Sequence, residues 1–223
     1  MDRGIDETLH RAAEALAATG SVAGTGFWGA VSRVKADPGL VAVYAERIAE
    51  LDRAAFLRWA RVRVPLGAGT ALMVAGTIVG LVLQAAAYRL AAPLDAVALL
   101  VGTAVLLVTT HGLGHLVVGR LCGIRFIGWF VGPRRPQPGV KVDYASYLRA
   151  SPTCRAWMHA AGAIVTKLVP VVALGVGWAA GVAGWAMAVL GVVAVVQLVT
   201  DAVLSTRSGD WAKFRRELRY AGR

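Results

Sequence analysis

The chain has 223 residues, 57% of them hydrophobic and 17% charged, with a formal net charge of +11. A water-soluble domain carries roughly a quarter charged residues, so this composition excludes an ordinary soluble enzyme as the first reading. The basic residues border apolar stretches and are not interleaved with aromatics, which argues against nucleic acid as a partner.

Residues 1–63 read as a cytosolic segment of two amphipathic helices. Ile5, Leu9, Ala12 and Leu16 recur at three-to-four spacing in the first, and Val41, Tyr44, Ile48, Leu51 and Ala55 in the second. These helices are expected to pack together or to lie at the interface on the way into a membrane. The opening, with Asp2, Asp6 and Glu7, lacks the pattern of a signal peptide.

Residues 64–223 read as a membrane domain. No charged side chain occurs from Pro65 to Tyr88, none from Ala96 to Gly119 with histidine neutral, and only Lys167 from Ala156 to Thr200. A crossing needs about 20 apolar residues, so the first two stretches each fit one crossing and the third fits two. Gly175, Gly177, Gly181 and Gly184, with Trp178 and Trp185, mark the break in the third. The predicted helices are 65–88, 95–118, 156–180 and 183–204, giving an all-α integral membrane protein with four transmembrane helices.

Basic clusters at 53–63, 120–155 and 207–223 contrast with the single Arg89 in the other two connections. Both termini are therefore expected in the cytosol. Cys122 and Cys154 then lie on the reducing side, at a spacing that matches no metal pattern. Within the connection 119–155, the apolar run Gly123–Val131, the turn-forming residues 132–139 and the alternation of Val140, Val142 and Tyr144 predict a cytosolic β-hairpin.

The second predicted span reads Val108-Thr-Thr-His111-Gly-Leu-Gly-His115. Histidines four apart share one helix face, so both imidazoles can reach one metal ion. Hydrogen bonding between helices is the alternative, because ionisable groups inside a span turn toward a protein interior. A third ligand has two sources near the C-terminal end, Asp201 and Asp210, and Asp210 also suits the N-cap of a helix starting at Trp211. Lys167 lies deep in the third apolar stretch, one turn before Pro170, and His159 near its entry reads as interfacial.

The His111-x-x-Gly114-His115 motif on a membrane helix resembles the HExGH form found in the site-2 protease family of intramembrane zinc metalloproteases. The segment Ser151–Lys167 is similar to the start of that family's next core helix, and Asp201 to Asp210 resembles its Asn-to-Asp-Gly motif. The likeness covers about 95–215, the family's three-helix core. It implies zinc held by His111, His115 and Asp210, with Asp201 in the place of the family's Asn. It also implies a hairpin that captures a membrane-spanning peptide or protein by strand addition, at the surface of the lipid bilayer.

Gly112 stands where the family carries its catalytic Glu, the general base for the zinc-bound water. Ala163 replaces the Pro of the next core helix, Thr166 falls where that helix's Asn would be, and the Asp-Gly order is reversed as Gly209-Asp210. Two functions follow from the resemblance. One is a zinc metallopeptidase homologue that draws its base from elsewhere, with Asp201 as the substitute. The other is a non-catalytic zinc-binding scaffold that recognises membrane proteins.

Overall fold

The computed structural model describes residues 2–132, 138–201, 203 and 209–222. The described chain is mostly helical with one small sheet, and it divides into two compact units. The first comprises residues 1–66, 119–155 and 217–223, and the second residues 67–118 and 156–216.

The first unit opens with α1 (Arg3–Thr19), α2 (Phe27–Lys35) and α3 (Pro38–Trp59). Asp2 caps α1 by accepting from the Gly4 and Ile5 amides, and Gly20 ends it at φ 77°, a left-handed conformation that favours glycine. Asp37 caps α3, with Pro38 in the first turn where its missing N–H costs nothing. The apolar stripes predicted from spacing face each other: Ile5, Leu9, Leu16, Tyr44 and Ile48 are all buried. Each such aliphatic side chain contributes about 1.5–3 kcal/mol by leaving water. Where two helices are predicted, three form. The third, α2, spans only nine residues and supplies Phe27, Val31 and Val34 to the same core. This region is a helical core of its own, and its predicted apolar faces are spent on packing.

The predicted hairpin forms as β2 (Phe126–Val131) and β3 (Pro138–Val142), antiparallel, and residues 133–137 of its turn lie outside the described residues. A further strand, β1 (Val62–Pro65), pairs antiparallel with β2, setting Val64 opposite Trp129 and making β2 the centre of the order β1-β2-β3. Tyr144 leaves the strand pattern to begin α6 (Tyr144–Arg149), because Asp143 caps it through the Ser146 amide. Burial opposes the charge of Asp143, but the Ser146 hydrogen bonds and Arg125 outweigh it and hold the carboxyl below its usual range.

The same unit contains a buried ionic cluster. Glu217 Oε1 accepts from Lys35 Nζ at 2.6 Å and Oε2 from Arg155 Nε at 2.8 Å. Arg155 Nη1 also donates to the Leu148 and Ala150 carbonyls. All three side chains are at most 4% exposed.

The second unit draws on α4 (Leu66–Ala86), α5 (Leu94–Leu121), α7 (Pro152–Ala180), α8 (Gly184–Thr200) and α9 (Asp210–Leu218). Three of these, α4, α5 and α7, are long and apolar enough to cross a membrane, with 21, 28 and 29 residues. The fourth predicted span appears as the apolar α8 of 17 residues, and the end of that prediction, residues 202 and 204, lies outside the described residues. Leu72, Ile78 and Val82 of α4 stand exposed, an apolar surface that suits hydrocarbon. Its inner face has small residues and polar pairs: Gly80 sits against Leu106 and the Gly102 carbonyl, Thr77 bonds Thr109 at 3.0 Å, and Gln84 bonds Thr103 at 3.3 Å. Such pairings join helices where lipid removes the hydrophobic drive.

The helix break falls at Gly181, φ 71°, between Trp178 and Trp185. The start of α7 lies four residues before the predicted one. Pro152 occupies its first position and the Ser151 hydroxyl accepts from the Cys154 amide, so the helix begins ahead of its apolar stretch.

Candidate metal centre

Small residues bring α5 and α7 together beside the two histidines. A Cβ on Gly114 would stand 3.1 Å from the Ala161 carbonyl oxygen. A Cβ on Gly162 would strike the His115 ring and come within 2.9 Å of the His111 carbonyl oxygen. Glycine at both positions lets the His115 ring lie against the backbone of α7. There its Nδ1–H donates to the Met158 carbonyl at 2.7 Å, and Nε2, packed over Gly162, is left to face His111. That support fixes both the tautomer and the orientation of an imidazole ligand.

His111, one turn earlier, presents its Nε2 to the same point, 3.2 Å from that of His115. Asp210, the first residue of α9, completes the group with Oδ2 at 3.4 Å from each Nε2. Its other oxygen, Oδ1, accepts from Lys213 Nζ at 3.0 Å. Burial works against the Asp210 charge, but hydrogen bonding and charge from a protonated His115 ring, together with the Lys213 ammonium, prevail and hold the carboxyl well below the usual carboxylate range. Asp210 is therefore an anionic donor at neutral pH.

The triangle of 3.2, 3.4 and 3.4 Å has a definite chemical meaning. Ligands around a tetrahedral ion at ~2.0–2.1 Å stand about 3.3 Å apart. Two imidazole nitrogens and a carboxylate oxygen at that spacing can hold one metal ion and leave a fourth position open. Hydrogen bonding accounts for His115 Nδ1 through Met158 and links the two Nε2 atoms, while His111 Nδ1 finds no partner within strict hydrogen-bond geometry among the described residues.

The other polar residues singled out by sequence go elsewhere. Asp201 Oδ2 accepts from Lys167 Nζ at 2.8 Å and from the Trp211 indole at 3.0 Å. The deep lysine of α7 is thus paired with the carboxylate at the end of α8, and both are tied to the residue that follows Asp210. Thr166 donates back to the Gly162 and Ala163 carbonyls of its own helix. His159, read from sequence as interfacial, stacks edge-on against His115 with ring centroids 6.5 Å apart. Its three-residue offset from Gly162 puts it on the face of α7 that meets the histidines, a signal present in the spacing.

Cys122 and Cys154 are both free, and burial together with a hydrogen bond to Cys154 pushes the Cys122 thiol up to about 11. Neither belongs to the ligand group. Alongside the glycine contact, an apolar cavity of about 450 Å³ is lined by Leu113, Val117, Trp157, Ile164 and Val165. No family model, curated protein or solved structure matches this chain, so the three converging donors are what its chemistry is read from.

Proposed function

We propose that the chain is a site-2-protease-like membrane protein that holds zinc through His111, His115 and Asp210. On this reading it binds membrane-spanning peptides and does not cleave them at an enzyme's rate. The observation that carries the proposal is the convergence of the three donor atoms at 3.2–3.4 Å beside helices long and apolar enough to span a bilayer. Two imidazoles with one carboxylate is a zinc donor set, and three protein ligands with an open fourth position is the pattern of a reactive site. When bound, zinc would supply Lewis acidity toward a peptide carbonyl or water.

The chain's own residues argue against ordinary hydrolysis. Gly112 gives no side chain where the general base is needed. The substitute suggested by sequence, Asp201, has the same carboxylate oxygen committed to Lys167 and Trp211. General acid–base assistance is worth about 10²–10⁴ in rate, and losing it leaves recognition as the retained activity. The apolar cavity beside the histidines offers a wall for a membrane-spanning segment, and the outer edges of β1 and β3 offer backbone groups to an extended one. Four spans with both termini in the cytosol fit the basic clusters and place α8 as the last crossing.

Metal analysis of the purified protein tests the centre. About one zinc per chain is expected in the wild type and none in His115→Ala. Incubation with a membrane-spanning peptide in detergent or nanodiscs then tests the activity. The wild type is expected to bind without cutting, and Gly112→Glu to gain zinc-dependent cleavage. Cleavage by the wild type that disappears in Asp201→Asn would instead establish the peptidase with a substitute base.

A further inference from the structure

A second cavity, of about 480 Å³, opens in the first unit between α3 and the β1-β2 ladder. Its apolar wall includes Leu57, Val64, Ile127 and Trp129, and its rim carries Arg53 and Arg63. Both arginines are exposed. Arg63 makes no ion pair among the described residues. Among the described residues Arg53 pairs only with Asp143, at the long distance of 3.5 Å, while the other oxygen of Asp143 takes Arg125 at 3.1 Å. Two guanidiniums therefore keep donors in hand above an apolar floor.

Chain continuity ties Arg63 to the start of a helix long enough to span a bilayer. β1 ends at Pro65 and α4 begins at Leu66 with no linker. The 21 residues of α4 span about 31 Å at ~1.5 Å each, the thickness of a hydrocarbon core. At ~3.3 Å per strand residue, Arg63 stands within about 10 Å of the start of that helix, at the level of lipid headgroups. Leu57 lines the cavity and Trp59 and Val62 lie close to Arg63 along the chain, all three about half exposed. An exposed tryptophan next to basic side chains at the mouth of a span is the composition of an interfacial anchor.

We infer that this cavity binds the headgroup of an anionic phospholipid. The phosphate sits between Arg53 and Arg63, and the glycerol and first acyl carbons lie against Leu57, Val64 and Ile127. Arginine suits this role because its planar fork gives parallel hydrogen bonds to phosphate oxygens. Only Arg53 meets a carboxylate, Asp143, which it shares with Arg125, so the pair keeps net positive charge and a headgroup with net negative charge is preferred over a zwitterionic one. An extended peptide is the competing occupant, and the test below separates the two.

The experiment is native mass spectrometry of the full chain in detergent, titrated with phosphatidylglycerol or phosphatidylcholine. The expected result is one retained phosphatidylglycerol per chain and weaker phosphatidylcholine binding. Arg53→Gln/Arg63→Gln should weaken the retained lipid roughly 25-fold, a factor of about five per basic side chain. Arg3→Gln/Arg11→Gln, which removes equal charge from α1, should leave retention unchanged. Circular dichroism of both variants checks that they fold, as substitution of exposed side chains should allow. Equal retention of the two lipids, or equal loss in the two double variants, would overturn the inference. So would a membrane-spanning peptide whose binding depends on Arg53 and Arg63 while lipid retention does not.

Discussion

Two polar clusters in this molecule, one buried and one partly buried, each join two basic side chains to a carboxylate and differ in how they meet it. In the Lys35–Glu217–Arg155 cluster each cation touches the carboxylate, at 2.6 and 2.8 Å, and the spare guanidinium nitrogen Nη1 goes to two backbone carbonyls. In the His111–His115–Asp210 group the atoms that meet are two ring nitrogens and a carboxylate oxygen, 3.2–3.4 Å apart. Three lone-pair carriers aimed at one point repel unless a proton or a metal ion sits among them. The first cluster balances its charges by direct contact, although Arg155 Nη2 is buried without a partner among the described residues, and it reads as a structural clamp. The second can take a shared proton or a metal ion, and the spacing of its donors suits a ligand set. Lys167–Asp201 belongs with the first kind, because a lysine already stands opposite the carboxylate.

The comparison can be broken at either end. Glu217→Gln should give the largest loss of fold stability. It strands Lys35 and Arg155 without a counter-charge, and breaking a buried pair costs about 3–5 kcal/mol. Chemical denaturation of the full chain in detergent measures this. His115→Ala in metal-free protein should cost far less, and equal losses would mean that both clusters are structural.

A smaller effect is expected at Trp211. Its indole donates to Asp201 from the turn that begins at Asp210; loss of a hydrogen bond made directly to a ligand typically costs 10–100-fold in affinity, and this bond is one step further out, so the lower end is expected. Trp211→Phe should weaken zinc roughly 10-fold and alter the visible spectrum of the cobalt-substituted protein, while the melting of the metal-free chain stays unchanged. An unaltered spectrum and affinity would remove Trp211 from the support of the centre.

The mildest effect is in pH. Burial opposes ionisation of Glu217, but Lys35 and Arg155 outweigh it and hold its carboxyl below the usual range, and Asp143 is held low as well. Both groups titrate lower folded than unfolded, so each stabilises the fold at neutral pH. That contribution should drain away as pH falls from about 4 through the depressed folded values. Circular dichroism between pH 6 and 2 would follow it, and in Glu217→Gln the remaining acid sensitivity should be smaller.

What could be read from the sequence was local or periodic. The helix faces of α1 and α3, the apolar lengths of α4, α5 and α7, and the shared face of His111 and His115 all repeat within one or two turns. The alternation in β2 and β3 does the same. β1 was hidden because its four residues have no partner nearby, and the strand that stabilises them lies more than 60 positions on. The buried clamp was invisible for the same reason: Lys35 and Glu217 are separated by 182 residues. Asp210 stood between two readings, ligand and cap, because spacing along a chain cannot say where a carboxylate points. Gly162 carried the missing cue. A glycine facing the histidines on the next core helix is what lets the His115 ring reach the backbone of that helix.

Zinc-edge X-ray absorption on the purified wild-type protein tests the central claim most directly. The account predicts a nitrogen and oxygen shell at about 2.0–2.1 Å with the multiple-scattering signature of two imidazoles. A sulfur shell at about 2.3 Å would contradict it by moving the metal to Cys122 and Cys154, and so would a protein that retains no zinc.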